Sequence, residues 1–434
     1  MIGFFYIYTM KINALYEIYK KCARVETDTR KDLNQSLFFA LKGDNFNGNE
    51  FAAQALDSGA LFAVVDEEKF KVNDRIILVD NVLHTLQELA NYHRKQLKVP
   101  VISLTGSNGK TTTKELIHAV LRQKFICAAT KGNLNNHIGV PLTLLTMTEK
   151  TEIAVVEMGA NHPGEIDLLC RIAEPDYGFI TNFGRVHLEG FGSLEGVIHS
   201  KTELYRDLAS RDKIVFVNGN DPVQLEKSAV QKRVVFGTEN SDYPVAFVEA
   251  NPFVKVRFDN CLIESKLIGK YNFPNIAAAV AIGLFFGVEE EKIKYAIEQY
   301  IPSNNRSQII EKGTNRIILD AYNANPNSMQ AALENLAQLT DRNKVAILGD
   351  MFEIGSDSAK EHQHIADLVQ KIDLKKVYLI GQNFSKTEVR NVNTVQYSSF
   401  EEFKNNFKQA DINDATVLIK ASRGMSLERV LELI

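Results

Sequence analysis

Residues 105–113 read Thr-Gly-Ser-Asn-Gly-Lys-Thr-Thr-Thr, and these types at this spacing suit the holding of a polyphosphate. Gly106 and Gly109 lack side chains, so backbone N–H groups can close around phosphate oxygens at a helix N-terminus. Lys110 places a cation on the outer phosphates, and the Thr111 hydroxyl can ligate Mg²⁺. Thr105, Ser107, Asn108 and Thr112 complete the loop. The strict pattern G-x-x-x-x-G-K-[ST] wants glycine where this chain has Leu104. The bland alternative is an ordinary glycine-rich turn; the complete Gly-Lys-Thr core favours phosphate.

Such a loop needs a strand before it and a helix after it. The apolar run 99–104 predicts a buried strand, and residues 114–121 carry apolar side chains at helical spacing. A second apolar strand, 152–156, leads to Glu157 at its carboxyl end, where open α/β sheets place ligands. A carboxylate there is suited to Mg²⁺, or is simply a solvated strand end. The amide-rich loop 132–141 includes Asn133, Asn135 and Asn136, which suit turns and helix caps as well as a ligand. His187 follows a strand at 176–182, and Lys201 lies in a helix predicted over 193–208. Composition alone leaves these two as a structural imidazole and a solvated ammonium. Asn275 stands just ahead of an Ala-rich helix predicted over 276–286.

Length and rhythm organise the rest. The 434 residues suffice for about three domains. Residues 11–97 read as a small α/β domain, and 98–305 as a central P-loop-type parallel-sheet domain with an antiparallel insertion near 230–268. In 306–434, four strand-like runs alternate with helices, which predicts a parallel, Rossmann-like sheet. That region has no G-x-G-x-x-G, so a dinucleotide is not expected. The fold class is therefore α/β, in three domains.

Fifty Lys and Arg against 54 Asp and Glu give a net charge of −4, which argues against a nucleic-acid or anionic-membrane surface. Four separated cysteines without a C-x-x-C pair suit a reducing compartment. The apolar stretch 1–10 has no basic residue before its apolar run and is too short to span a bilayer. It reads as a leader, with Met10 before Lys11 as the start of the folded chain. The expectation is a cytoplasmic monomer.

Taken together, these segments resemble the Mur ligases of bacterial cell-wall synthesis. The resemblance is carried, in family order, by the 105–112 loop, Asn133 to Leu142, and Glu157-Met158-Gly159-Ala160 with Pro163-Gly164-Glu165-Ile166. Next come His187-Leu188-Glu189 with Gly192-Ser193, Asp320-Ala321-Tyr322-Asn323-Ala324-Asn325-Pro326, and Leu348-Gly349-Asp350-Met351. It implies ATP-dependent ligation of D-alanyl-D-alanine to a UDP-N-acetylmuramoyl-tripeptide through an acyl phosphate. The product would be a peptidoglycan precursor, needed for cell shape and division.

It also implies roles. Thr111, Glu157, His187 and Lys201 would serve one or two Mg²⁺, with Lys201 carbamylated into a carboxylate-like ligand. CO₂ adds only to a neutral amine, so that site must disfavour the ammonium. Lys110, Glu157, His187 and Lys201 would be the catalytic set. Asn275 would meet the adenine, and Arg306 and Asp320 the phosphates and ribose. Thr29, Arg30, Asn135 and Asn136 would meet the muramoyl substrate, and Asn323 and Asn325 a substrate at the C-terminal domain. Four positions depart from the family pattern: Thr29 for Ser, Tyr271 for His, Thr202 for Gly and Ala421 for Gly. None removes a catalytic group.

Two rivals remain. One is another amide ligase of the superfamily, adding the third residue or building folylpolyglutamate. The other is a nucleotide switch that uses the loop for regulation.

Overall fold

Runs such as Ile-Ala-Val-Val and Thr-Val-Leu-Ile are apolar on both faces, the pattern of parallel strands covered on both sides. In a computed structural model they are strands buried throughout. The structure describes residues 10–303 and 305–434, so the expected leader at 1–9 lies outside the described residues. The chain forms two units.

The first unit runs to Leu104 and includes Phe125–Ala160 and Gly164–Gly178. Its N-terminal part is a parallel sheet of β1 (Arg24–Glu26), β2 (Ser36–Phe39), β3 (Phe62–Val65) and β4 (Ile76–Leu78), in that order. Leu33, Phe38, Ala52, Ala55 and Ile76 belong to its core. The helix Val82–Leu97 follows, capped by Asn81, whose side chain accepts from the His84 N–H at 2.8 Å. Then come β5 (Val101–Thr105), β6 (Cys127–Ala129) and β7 (Ile153–Glu157), all parallel, with β7 between the others. Their register sets Leu104 beside Glu157, so the glutamate sits level with the end of β5.

The strand β8 (Tyr177–Ile180) leads into the second unit, which holds Thr105–Lys124, Asn161–Pro163 and Phe179–Ile434. There β9 (Ile214–Asn218) pairs in parallel with β10 (Arg233–Phe236). An antiparallel sheet follows: β11 (Ala246–Ala250), β12 (Phe253–Phe258) and β13 (Cys261–Ile268). The C-terminal sheet contains β14 (Gln308–Lys312), β15 (Asn315–Asp320), β16 (Lys344–Gly349), β17 (Lys376–Ile380), β18 (Thr394–Tyr397) and β19 (Thr416–Lys420). Its order is β14–β15–β19–β16–β17–β18. The last strand thus returns to the middle of the sheet, between β15 and β16.

Two sequence expectations are corrected, and the parallel order expected of the four C-terminal strands is found with one antiparallel addition. The C-terminal sheet is mixed, because the edge strand β14 pairs antiparallel with β15 through a tight turn at Gly313. Residues 193–208 are two helices, Leu194–Lys201 and Glu203–Ser210. At the break, the Thr202 hydroxyl donates to the Ile198 and His199 carbonyls at 2.8 and 2.9 Å, a back-bond that bends helices. The Ala-rich helix is Phe273–Phe285, so Asn275 lies in its first turn; Pro274 suits that turn because the N–H it lacks has no helical partner there. Among the described residues, no helix is long and apolar enough to cross a membrane.

Candidate active site

The phosphate loop leaves β5 at Thr105 and turns straight into the helix Lys110–Leu121. Its glycines are required by close approach. Gly106 has φ +140°, and a Cβ there would stand 2.0 Å from Thr181 Oγ1. Gly109, at φ +79°, is the N-cap, and a Cβ on it would stand 2.7 Å from Asn275 Oδ1. The loop is held from outside by the segment Thr181–Gly184. The Thr181 hydroxyl and Asn182 Nδ2 donate to the Asn108 carbonyl at 2.6 and 3.0 Å. The Asn108 N–H donates to Asn182 Oδ1 at 3.0 Å, and the Ser107 hydroxyl exchanges hydrogen bonds with Gly184. Lys110 Nζ donates to the Gly106 and Ser107 carbonyls at 2.7 and 3.2 Å, so the ammonium lies over the loop. Thr111 is buried behind it and Thr112 half-buried. Thr105 is wholly buried, with its carbonyl accepting from Thr181 N–H at 2.9 Å.

Asn275 lies beneath the loop. Its Oδ1 accepts from the Thr113 hydroxyl at 3.0 Å, and its Nδ2 donates to Asn272 Oδ1 at 2.8 Å. The side chain is buried and locked, bracing Gly109 from below.

His187 and Lys201 share the ring of Phe191. Its centroid is 6.4 Å from the His187 ring and 5.1 Å from Lys201 Nζ. Lys201 is 1% exposed at the end of its helix. His187 sits at φ +50°, and its Nδ1 is hydrogen-bonded to the Glu353 carboxylate. Burial holds its imidazole below the usual histidine range; Glu353 opposes this, and the Lys110 and Lys201 cations reinforce it.

At the carboxyl ends of β15 and β19, Asp320 meets Lys420. Asp320 Oδ2 accepts from Lys420 Nζ at 2.5 Å, and its Oδ1 accepts the Ser307 N–H at 3.1 Å. The Arg306 guanidinium carbon lies 3.5 Å from the Tyr322 ring centroid. Asn323 is exposed, with its carbonyl on Lys420 Nζ at 3.2 Å. Asn325 caps the helix Pro326–Gln338 in a capping box with Ser328, and its Nδ2 donates to Asn108 Oδ1 at 2.7 Å.

In the first unit, Glu157 is 1% exposed. Its Oε1 accepts from Asn135 Nδ2 at 2.8 Å, which brings the amide-rich loop onto the strand-end carboxylate. Asn136 is exposed, and its Oδ1 accepts the Ile138 and Gly139 N–H groups in a turn just ahead of the helix Gly139–Leu144. Arg30 folds back on Asp28 with Nε at 2.9 Å and Nη2 at 2.7 Å, which pulls the Asp28 carboxyl down to about 2. Thr29, between them, is half-buried.

The oxygen donors suit Mg²⁺. The Glu157 carboxylate of the first unit and the Thr111 hydroxyl of the second are each buried, hard oxygen donors of the kind Mg²⁺ takes singly beside water and phosphate oxygens. Sequence reasoning missed Thr181, Asn182 and Gly184, which shape the loop, and Lys420, which neutralises Asp320. Thr181-Asn182 was visible as a strand end; its pairing with a loop some seventy residues earlier was not.

Comparison with known proteins follows the same lines. The Mur ligase middle domain model matches residues 104–283, and the Mur ligase, glutamate ligase domain model matches residues 305–423. The chain is 36% identical over 427 residues to the UDP-N-acetylmuramoyl-tripeptide–D-alanyl-D-alanine ligase of Bacillus subtilis, covering 94% of this chain and 92% of that one. A crystal structure of MurF from Acinetobacter baumannii superposes with a TM-score of 0.86 at 29% identity, covering 97% and 98% of the two chains. MurF ligase from Thermotoga maritima, in complex with ADP, gives 0.82 at 28% identity and 98% coverage of both.

Proposed function

The chain belongs to the Mur ligase family, and we propose that within it this protein joins D-alanyl-D-alanine to a UDP-N-acetylmuramoyl-tripeptide at the expense of ATP. The single observation that carries the reading is 36% identity to a ligase of that name over 94% of this chain, with the Gly-Lys-Thr core of the phosphate loop present. The γ-phosphoryl of ATP passes to the terminal carboxylate of the tripeptide, giving an acyl phosphate and ADP. The dipeptide amine then attacks the carbonyl, and the tetrahedral intermediate expels phosphate and a proton to leave the amide.

Phosphoryl transfer between two anions is limited by positioning and charge neutralisation. Backbone N–H groups at the N-terminus of the helix Lys110–Leu121 orient the phosphates, and Lys110 supplies the cation. Mg²⁺, one or two ions, adds further neutralisation when bound. Thr111 and Glu157 serve the first, His187 and Lys201 the second, with Lys201 as its carbamate. The burial of Lys201, 1% exposed at its helix end with Nζ 5.1 Å from the Phe191 ring that His187 also faces, supports that last assignment. Carbamate formation joins the amine nitrogen to CO₂ and releases one proton.

Asn275, Arg306 and Asp320 serve the nucleotide. Thr29, Arg30, Asn135 and Asn136 serve the muramoyl substrate, and Asn323 and Asn325 the C-terminal side. By function the chain divides at 11–97, 98–305 and 306–434, binding muramoyl substrate, ATP and dipeptide in turn. Its place is the cytoplasm, where ATP and nucleotide-linked precursors are found.

The test is a substrate panel read as ADP release, with both common diamino-acid tripeptides as acceptor. Dependence on D-alanyl-D-alanine supports the reading. Dependence on glutamate or a free diamino acid assigns the chain to a sister ligase, and slow hydrolysis indifferent to any amine assigns it to a switch.

A further inference from the structure

Two guanidinium groups share one tyrosine ring at the carboxyl edge of the C-terminal sheet. Arg306 lies 3.5 Å and Arg423 4.9 Å from the Tyr322 centroid, measured from the guanidinium carbon. The strands beneath them are neighbours in register, with Asp320 of β15 beside Lys420 of β19. Tyr322 and Arg423 therefore emerge side by side, at the edge where open α/β sheets bind ligands.

The charge there is not balanced. Arg30, Arg94, Arg185 and Arg316 each face a carboxylate within ion-pair distance, and Lys420 is neutralised by Asp320. Among the described residues, neither Arg306 nor Arg423 has such a partner, and Arg306 Nε is buried without a hydrogen-bond acceptor. Two cations on one ring repel each other, and an anion between them removes that repulsion. Arg423 is exposed, so its fork is open to a ligand.

An apolar surface adjoins the cations. Phe352 is 42% exposed, and a Cβ on Gly424 would stand 2.8 Å from its ring, so the phenyl lies against the backbone next to Arg423. Its N–H is fixed by Ser422 Oγ at 2.9 Å. An open guanidinium beside an exposed phenyl suits a small molecule with one carboxylate and a short apolar body.

The geometry points to Arg423 as the receptor for the C-terminal carboxylate of the incoming dipeptide, whose methyl groups lie along Phe352, with Arg306 across the Tyr322 ring left to the nucleotide. The inference rests on the ligase reading above. It makes Arg423 a specificity residue: it selects acceptors that end in a free carboxylate. A nucleotide phosphate is the other anion of this size in the reaction, and the test separates the two.

The experiment measures steady-state ligation by the full chain, with D-alanyl-D-alanine and with its C-terminal amide, for wild type, Arg423→Gln and Arg423→Lys. Wild type is expected to prefer the free acid by about 10–100-fold in kcat/KM, the size of one charge-assisted contact. Arg423→Gln raises the dipeptide KM by about that factor and brings the preference near unity, with the ATP KM within about twofold. Arg423→Lys retains part of the preference. An unchanged preference in Arg423→Gln overturns the inference, as does a raised ATP KM with the preference intact, which would assign the site to phosphate. Wild type that ligates neither dipeptide overturns the ligase reading itself, while wild type that ligates both equally overturns only the carboxylate site.

Discussion

Asn108 and Asn325, 217 residues apart, are joined by a hydrogen bond from Asn325 Nδ2 to Asn108 Oδ1 at 2.7 Å. Asn325 also caps the helix Pro326–Gln338, so one side chain ties the phosphate loop to the C-terminal sheet and starts a helix. The two roles separate by substitution. Asn325→Ser keeps a good N-cap but cannot reach Asn108, so its melting temperature should stay near wild type while the ATP KM rises several-fold. Asn325→Ala loses the cap as well and should cost about 1 kcal/mol of stability. In the double variant with Asn108→Ser, the kinetic loss should not exceed that of either single change. Additive losses would mean that the two side chains act independently.

With Lys201 in the carbamate role proposed above, Lys201→Ala should abolish ligation and leave ATP binding within about threefold, because residues 105–113 are untouched. Formate or acetate at high concentration should restore part of the turnover by supplying the missing carboxylate. Wild-type activity in this variant would rule out the carbamate role.

Acid should weaken the C-terminal sheet through His362. This ring is wholly buried; its Nε2 accepts the Met351 N–H at 3.0 Å, and its Nδ1 faces the Ser358 carbonyl at 2.7 Å. Burial holds its pKa below the usual value, against the Ser358 carbonyl and the Asp350 and Glu361 carboxylates. The unfolded chain therefore takes up the proton first. The stability contribution is complete above a pH of about 6.5 and is lost as pH falls towards the depressed folded value. His187 has the same sign. Urea midpoints between pH 8 and 5 should fall with pH, and His362→Gln should flatten that slope; an equal slope in the variant would exclude His362 as the source.

The Asp320–Lys420 pair predicts an asymmetry. Lys420 is 1% exposed, and Lys420→Met leaves the Asp320 carboxylate with the Ser307 N–H alone, a loss of about 3 kcal/mol by urea unfolding. Lys420→Met combined with Asp320→Asn should recover much of that loss, since the stranded charge is gone. Equal stability of the single and double variants would disprove the pairing.

Much of this was legible from one sequence because the signals were local. The strand–loop–helix around Lys110, the strand ending at Glu157 and the βα rhythm after 306 all come from apolar runs and glycines within a few residues of one another. The edge strands β14 and β18 escaped because they are only half-buried and lack an apolar run. The break at Thr202 turns on one hydroxyl choosing a backbone acceptor. The partners of Asn325, Asn275 and Asp320 come from distant parts of the chain, and nothing in their own neighbourhoods announces them. Asn275 shows the limit clearly: the family resemblance assigned it to the adenine, while the structure puts its buried side chain under Gly109 as a brace.

The frame that Thr181, Asn182 and Gly184 build around residues 107 and 108 has a kinetic consequence. A loop already clamped at its carbonyls and amides loses its conformational entropy when the protein folds, not when the nucleotide arrives. Capture of ATP should then proceed as a single bimolecular step, with no slow ordering phase in its progress curve.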